Sequence, residues 1–113
     1  MTTKAQTQTL INQTTTIANP NSVDVSTADH IIVTATIEQV GTATTAAVLT
    51  VEGSPDNGTT WVEIARVSAG VNAGTYEFVI PISTAWPSIR TPFTAQSGGT
   101  SSTANCWVLT ATL

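Results

Sequence analysis

The densest run of chemically capable side chains is Ser54-Pro55-Asp56-Asn57-Gly58-Thr59-Thr60-Trp61. A carboxylate two positions after a hydroxyl and two before a glycine suits backbone hydrogen bonding within a tight turn. Asp56 is placed to accept turn amides, Gly58 to take a positive φ, and Trp61 to enter the core with the following strand. Ser54, Asp56, Gly58, Thr60 and Trp61 therefore read as a structural hairpin. His30 beside Asp29, with Asp24 and serines close by in sequence, supplies the fragments of a hydrolase triad. A nucleophile also needs an oxyanion hole, and no strand-turn-helix elbow accompanies these residues, so His30 is expected to begin a strand. For metal, His30 and Cys106 stand far apart, and Asp56-Asn57-Gly58 lacks the further acidic positions of a calcium loop. Gly98-Gly99 is followed by Thr and Ser rather than by the Lys of a phosphate loop. No catalytic residue, metal site or cofactor is expected, and Cys106 reads as a small core residue.

The chain has 113 residues, enough for one domain. Hydrophobic residues make up 41% and charged ones only 9%, so neutral polar side chains, threonine above all, must cover the surface. That balance excludes intrinsic disorder, which needs low hydrophobicity and high charge. Three cations, Lys4, Arg66 and Arg90, against a net charge of −4 make nucleic acid a poor partner, because phosphate neutralisation supplies most of that affinity. A surface so short of charge is unusual for a free monomer and points to an outside that is partly interface. No apolar run approaches the ~18 residues of a membrane span, and Met1 to Leu10 lacks the charge and apolar pattern of a signal peptide. The chain is expected to be made in a cytoplasm, with no membrane partner.

The elements that must position these residues read as strands. From His30 to Val40, Ile31, Val33, Ala35 and Ile37 alternate with Thr34, Thr36 and Glu38, which is the period of a strand with one buried face. Similar runs cover Ala46 to Glu52, Thr60 to Val67, Thr75 to Ile82, Ile89 to Ala95 and Asn105 to Leu113. Weaker ones lie at Thr9 to Ile17 and Ser22 to Val25. Turn residues separate them at Asn19-Pro20-Asn21, Pro55 to Gly58, Asn72 to Gly74 and Ser97 to Gly99. Roughly six to eight short strands predict an all-β, antiparallel β-sandwich over residues 10–113, immunoglobulin-like or jelly-roll-like, with its strand topology left open by the sequence. Residues 1–9 are expected to be a flexible N-terminal arm. Trp61, Tyr76, Phe78, Trp86, Phe93 and Trp107 are expected to supply core bulk, Trp107 in particular.

The hairpin matches the Asp-box pattern Ser-x-Asp-x-Gly-x-Thr-Trp, and so resembles the repeated box of sialidases. Those carry several copies and an arginine cluster, whereas this chain has one copy and two arginines. The order of elements as a whole resembles small virion proteins of tailed bacteriophages: a polar arm, a strand-rich body, the hairpin, a closing Ser88 to Ala95 hairpin, a Gly/Ser/Thr tip at Gln96 to Thr103, and a final strand. Within that type it is most similar to capsid decoration, or cement, proteins. The resemblance implies a β-sandwich that sits as a homotrimer on the virion surface and bridges major capsid subunits. Only Ser54, Asp56, Gly58, Thr60 and Trp61 map residue by residue. The rival expectation is a tail- or fibre-associated sandwich that binds host glycan through an exposed Trp86 or Trp107.

Overall fold

The computed structural model describes residues 2–99 and 101–113. Its strands are β1 (Thr3–Gln13), β2 (Val23–Asp24), β3 (His30–Val40), β4 (Val48–Ser54), β5 (Val62–Ser68), β6 (Gly74–Ile82), β7 (Ser88–Arg90), β8 (Phe93–Thr94) and β9 (Ser101–Thr112). All pairings are antiparallel and build two sheets, one of four strands in the order β1-β9-β3-β6 and one of five. In the second the order is β2-β7-β4-β5, with β8 also on β4. Both β7 and β8 pair with β4, at its Glu52 to Ser54 end and its Val48 to Leu49 end respectively. They act as one strand interrupted at Thr91-Pro92, where proline has no amide to donate. Counted so, eight strands pass between the sheets in the interleaved order of a jelly roll.

The alternation seen in β3 is the one the structure uses: Ile31, Val33, Ala35, Ile37 and Gln39 are buried. β9 answers with Ser102, Ala104, Cys106 and Val108. From the other sheet Leu49, Val51, Ile89 and Phe93 are fully buried. Small residues at Ala35, Ala47 and Ala104 interleave with these and let the sheets approach to the ~10 Å of face-to-face packing. Cys106 lies in this core, and burial pushes its thiol pKa up, which keeps it protonated and unreactive.

Several expectations are corrected. The Ile89 to Ala95 run is two short strands, for the reason just given. Residues 3–8 of the expected arm form the outer half of β1, each paired with β9 from Thr3↔Thr112 to Gln8↔Trp107; Met1 lies outside the described residues. Their side chains are exposed, so this half is held by backbone hydrogen bonds to a strand that otherwise has one free side. Polar residues on both faces leave no period to read. Among the aromatics expected in the core, Phe93 alone is fully buried; Tyr76, Phe78 and Trp86 pack at its margin. Trp107 falls between the inward-facing Cys106 and Val108 and therefore points outward. Trp61 also misses the core and lies over Arg90.

Trp86 closes the space beside β4, where Gly53 is required: a β-carbon there would come within 3.0 Å of the indole ring. Gly53→Ala should cost about 1–3 kcal/mol through overpacking, and Ile37→Ala about 2–5 kcal/mol through the cavity it leaves. Val71→Ala, at a loop residue 39% exposed, should stay within about 0.5 kcal/mol of wild type. Urea unfolding of the three variants checks this order.

Candidate functional site

The hairpin residues do assemble. Ser54, at the end of β4, is fully buried, and its Oγ accepts the Gly58 amide at 2.7 Å while donating to Asp56 Oδ1 at 3.0 Å. Asp56 Oδ1 also accepts the Thr60 amide at 2.7 Å. That bond is the first reason its carboxyl lies below the usual range. Asn57 and Gly58 both have positive φ, at 57° and 94°, which lets the amides converge on the two side chains. Hydroxyl and carboxylate are thus occupied in holding the turn.

Beyond the turn, the Trp61 ring centre lies 4.3 Å from the Arg90 guanidinium carbon, and Arg90 Nε donates to Glu52 Oε1 at 2.6 Å. Arg66 is paired with Glu63 at 2.6 Å. Glu52, Arg90 and Arg66 all project from the outer face of the five-stranded sheet, between inward-facing Leu49, Val51 and Ile89 and their partners. Each arginine already has a carboxylate, so this face holds no open arginine for a substrate acid. The triad fragments stay apart: Asp24 caps the Ser26 amide, Asp29 accepts the Leu113 amide at 2.6 Å, and His30 lies exposed at the start of β3. Among the described residues no hydrogen bond joins His30 to either aspartate.

The outer face of the four-stranded sheet is different. The registers set Ile32 between Leu109 and Pro81, and in the next row Thr34 between Trp107 and Val79. Ile32 and Val79 are 37% and 69% exposed. Toward one end this apolar band gives way to the row Lys4, Ala111, His30. Toward the other come Asn105, Thr36 and Glu77, then Thr103, Glu38 and Thr75. A shallow depression of about 640 Å³ lies at the Lys4 end, floored by Ile32, Leu109 and Ala111 and edged by Lys4, Gln6 and His30. What this face offers is flat apolar contact with polar groups at its margins.

Sequence reasoning took Trp107 for core and missed this surface. A signal existed: Ile31-Ile32-Val33, Phe78 to Ile82 and Cys106 to Leu109 are unbroken apolar runs that depart from alternation on three adjacent strands. Such runs belong to strands whose two faces both meet apolar surroundings.

The hairpin geometry has a measurable consequence. A folded-state pKa below the unfolded one stabilises the fold above the ordinary carboxylate range, and that stability is lost as pH falls through the lowered value. Asp56→Asn should therefore lower Tm at neutral pH, the gap closing as the pH falls below about 4. Ser54→Ala, which removes the bonds to the Gly58 amide and to Asp56, should cost about 0.5–1.5 kcal/mol for each bond lost. Thermal melts across pH 2–7 read both.

No protein-family model and no curated protein matches this sequence. Among solved structures, a chain from Bacillus endospore appendages, which form disulfide-linked pili, aligns with 100% of this chain and 88% of its own. The identity is 12% and the TM-score 0.49. A chain from the structure of infectious bursal disease virus, Gx strain, aligns with 98% of this chain at 15% identity and a TM-score of 0.52. This chain spans about a third of that one, 32% of its length. At such identities the likeness to the viral chain is one of fold alone, that of an antiparallel β-sandwich.

Proposed function

We propose that this chain is a non-enzymatic structural protein of a tailed-bacteriophage virion, which decorates the capsid and stabilises it by bridging neighbouring major capsid subunits. The observation that carries the reading is the outward apolar band of the four-stranded sheet, formed by Ile32, Val79, Pro81, Trp107 and Leu109 on a sandwich of very low charge. Contiguous apolar surface of this kind marks an interaction site. The order of elements that resembles cement proteins, and a jelly-roll topology found also in capsid domains, support the reading by analogy. Its partners are the major capsid subunit and further copies of itself. A subunit that binds only the assembled lattice stabilises it by mass action, and repeated weak contacts add up.

One observation favours a second reading. The half-buried Trp107 stands on the outer face with Gln8, Thr34 and Asn105 around it, an aromatic surface ringed by hydrogen-bonding groups, as a tail-associated glycan-binding module would need.

Deletion of the gene from the phage that encodes it separates the two. For a decoration protein, particles still assemble but lose their DNA at lower temperature, and the added purified protein restores them. Particles of unchanged heat stability, or virions without the protein, would overturn the decoration reading. Adsorption lost while particle stability is kept would favour the glycan-binding module.

A further inference from the structure

We propose that the outer face of the four-stranded sheet pairs two copies of this chain, face to face and antiparallel, about a two-fold axis passing near Trp107. The inference does not rest on the capsid reading: it makes a second copy of the chain, one of the two partners named there, the occupant of this face.

Three features of the face lead to a second copy as its occupant. The first is the loss of alternation. Ile32, Val79 and Leu109 are apolar where the solvated positions of β3, β6 and β9 fall, and their strands are neighbours, so the exception forms one continuous band. That is the composition of a sheet covered on both sides.

The second is charge. The face has one cation, Lys4, in its first row, and two carboxylates, Glu77 and Glu38, in its last two. Among the described residues the two ion pairs are Arg66 with Glu63 and Arg90 with Glu52; Lys4, Glu38 and Glu77 take part in neither. His30 and Glu38 lie at opposite ends of β3, about 26 Å apart at ~3.3 Å per residue. A two-fold rotation about the middle row, where Trp107, Thr34 and Val79 stand, carries the cationic end of one copy onto the acidic end of the other. The same operation brings the two Trp107 rings together across the axis and lays Ile32 and Leu109 of each copy over the row of Asn105, Thr36 and Glu77 of the other. Such self-complementarity is what an isologous interface requires.

The third is area. Four strands ~4.8 Å apart and eleven residues long make a face of roughly 700 Å², close to the ~800 Å² per partner of a standard interface. Sheets so paired pack at about 30°, and Lys4 has the reach to find a carboxylate across that angle.

Light scattering on the eluting protein over a concentration series, with iodide quenching of tryptophan fluorescence at each concentration, tests the pairing. The expected mass moves from 11.7 kDa to twice that value as quenching falls. Ile32→Lys should weaken association by about tenfold or more by placing a charge within the contact. Lys4→Glu, on an exposed edge strand, should weaken it at low salt, and combining it with Glu38→Lys should restore it. Circular dichroism confirms that each variant is folded. A monomer at every concentration would overturn the proposal, as would a dimer unmoved by Ile32→Lys and Lys4→Glu. A constant mass of three copies, insensitive to the same variants, would also overturn it while leaving the decorating role intact.

Discussion

The antiparallel pairing of β3 with β9, unbroken from His30↔Ala111 to Val40↔Ser101, is the constraint on which the rest of the molecule depends. Because side chains alternate strictly along a strand, that register alone decides which residues enter the core and which face out. Val33 and Val108 stand opposite each other on the inner side, as do Ala35 and Cys106. Their neighbours Ile32, Leu109, Thr34 and Trp107 are thereby committed to the outer side. A slip of one residue would place Trp107 and Glu38 in a core whose small residues leave no room for an indole ring and whose apolar walls would not solvate a carboxylate.

That arrangement gives the sandwich two unlike outer faces. On the five-stranded sheet both arginines are held by glutamates, and Arg90, with 13% of its side chain exposed, lies between Glu52 and the Trp61 ring. Charge there is neutralised within the chain, so it contributes to positioning the hairpin end of the sheet rather than to an outward field. On the four-stranded sheet the few charges sit at opposite ends of an apolar band. The first face is finished chemically; the second is the one that offers contact area to another surface.

The ends of the sandwich show how a sparse core is closed. At one, Ser54, Asp56 and Gly58 fold the β4–β5 connection so that the Gly58 and Thr60 amides are satisfied locally, and Trp86 lies close against Gly53. At the other, Gln39 is buried with its Nε2 donating to the Val40 and Gly41 carbonyls at 3.1 and 3.2 Å, and Ser102 donates to Gln96. With so few large apolar residues available, hydrogen bonds from side chains, to backbone and to one another, complete the enclosure that a richer core would achieve by packing. The closure is incomplete at one atom, since the buried Gln39 Oε1 has no hydrogen-bond partner among the described residues.

Local chemistry by itself determined the strand class, the bounds of β3 and the Asp56 hairpin. Period-two alternation, a Ser-Asp-Gly spacing and turn residues are all contained within a dozen consecutive positions. It also contained, unread, the apolar runs at Ile31 to Val33 and Cys106 to Leu109. The tertiary structure decided what no local window holds. It gave the polar Thr3 to Gln8 a partner, because β9 had a backbone edge to pair, and hydrogen bonding of that kind does not depend on side-chain pattern. It split Ile89 to Ala95 at Pro92, turned Trp107 and Trp61 outward, and gathered Ile32, Val79 and Leu109 from three distant segments into one face. Composition announced a surface poor in charge; where its apolar part lies was set by register, since only pairing between remote strands brings scattered apolar positions side by side.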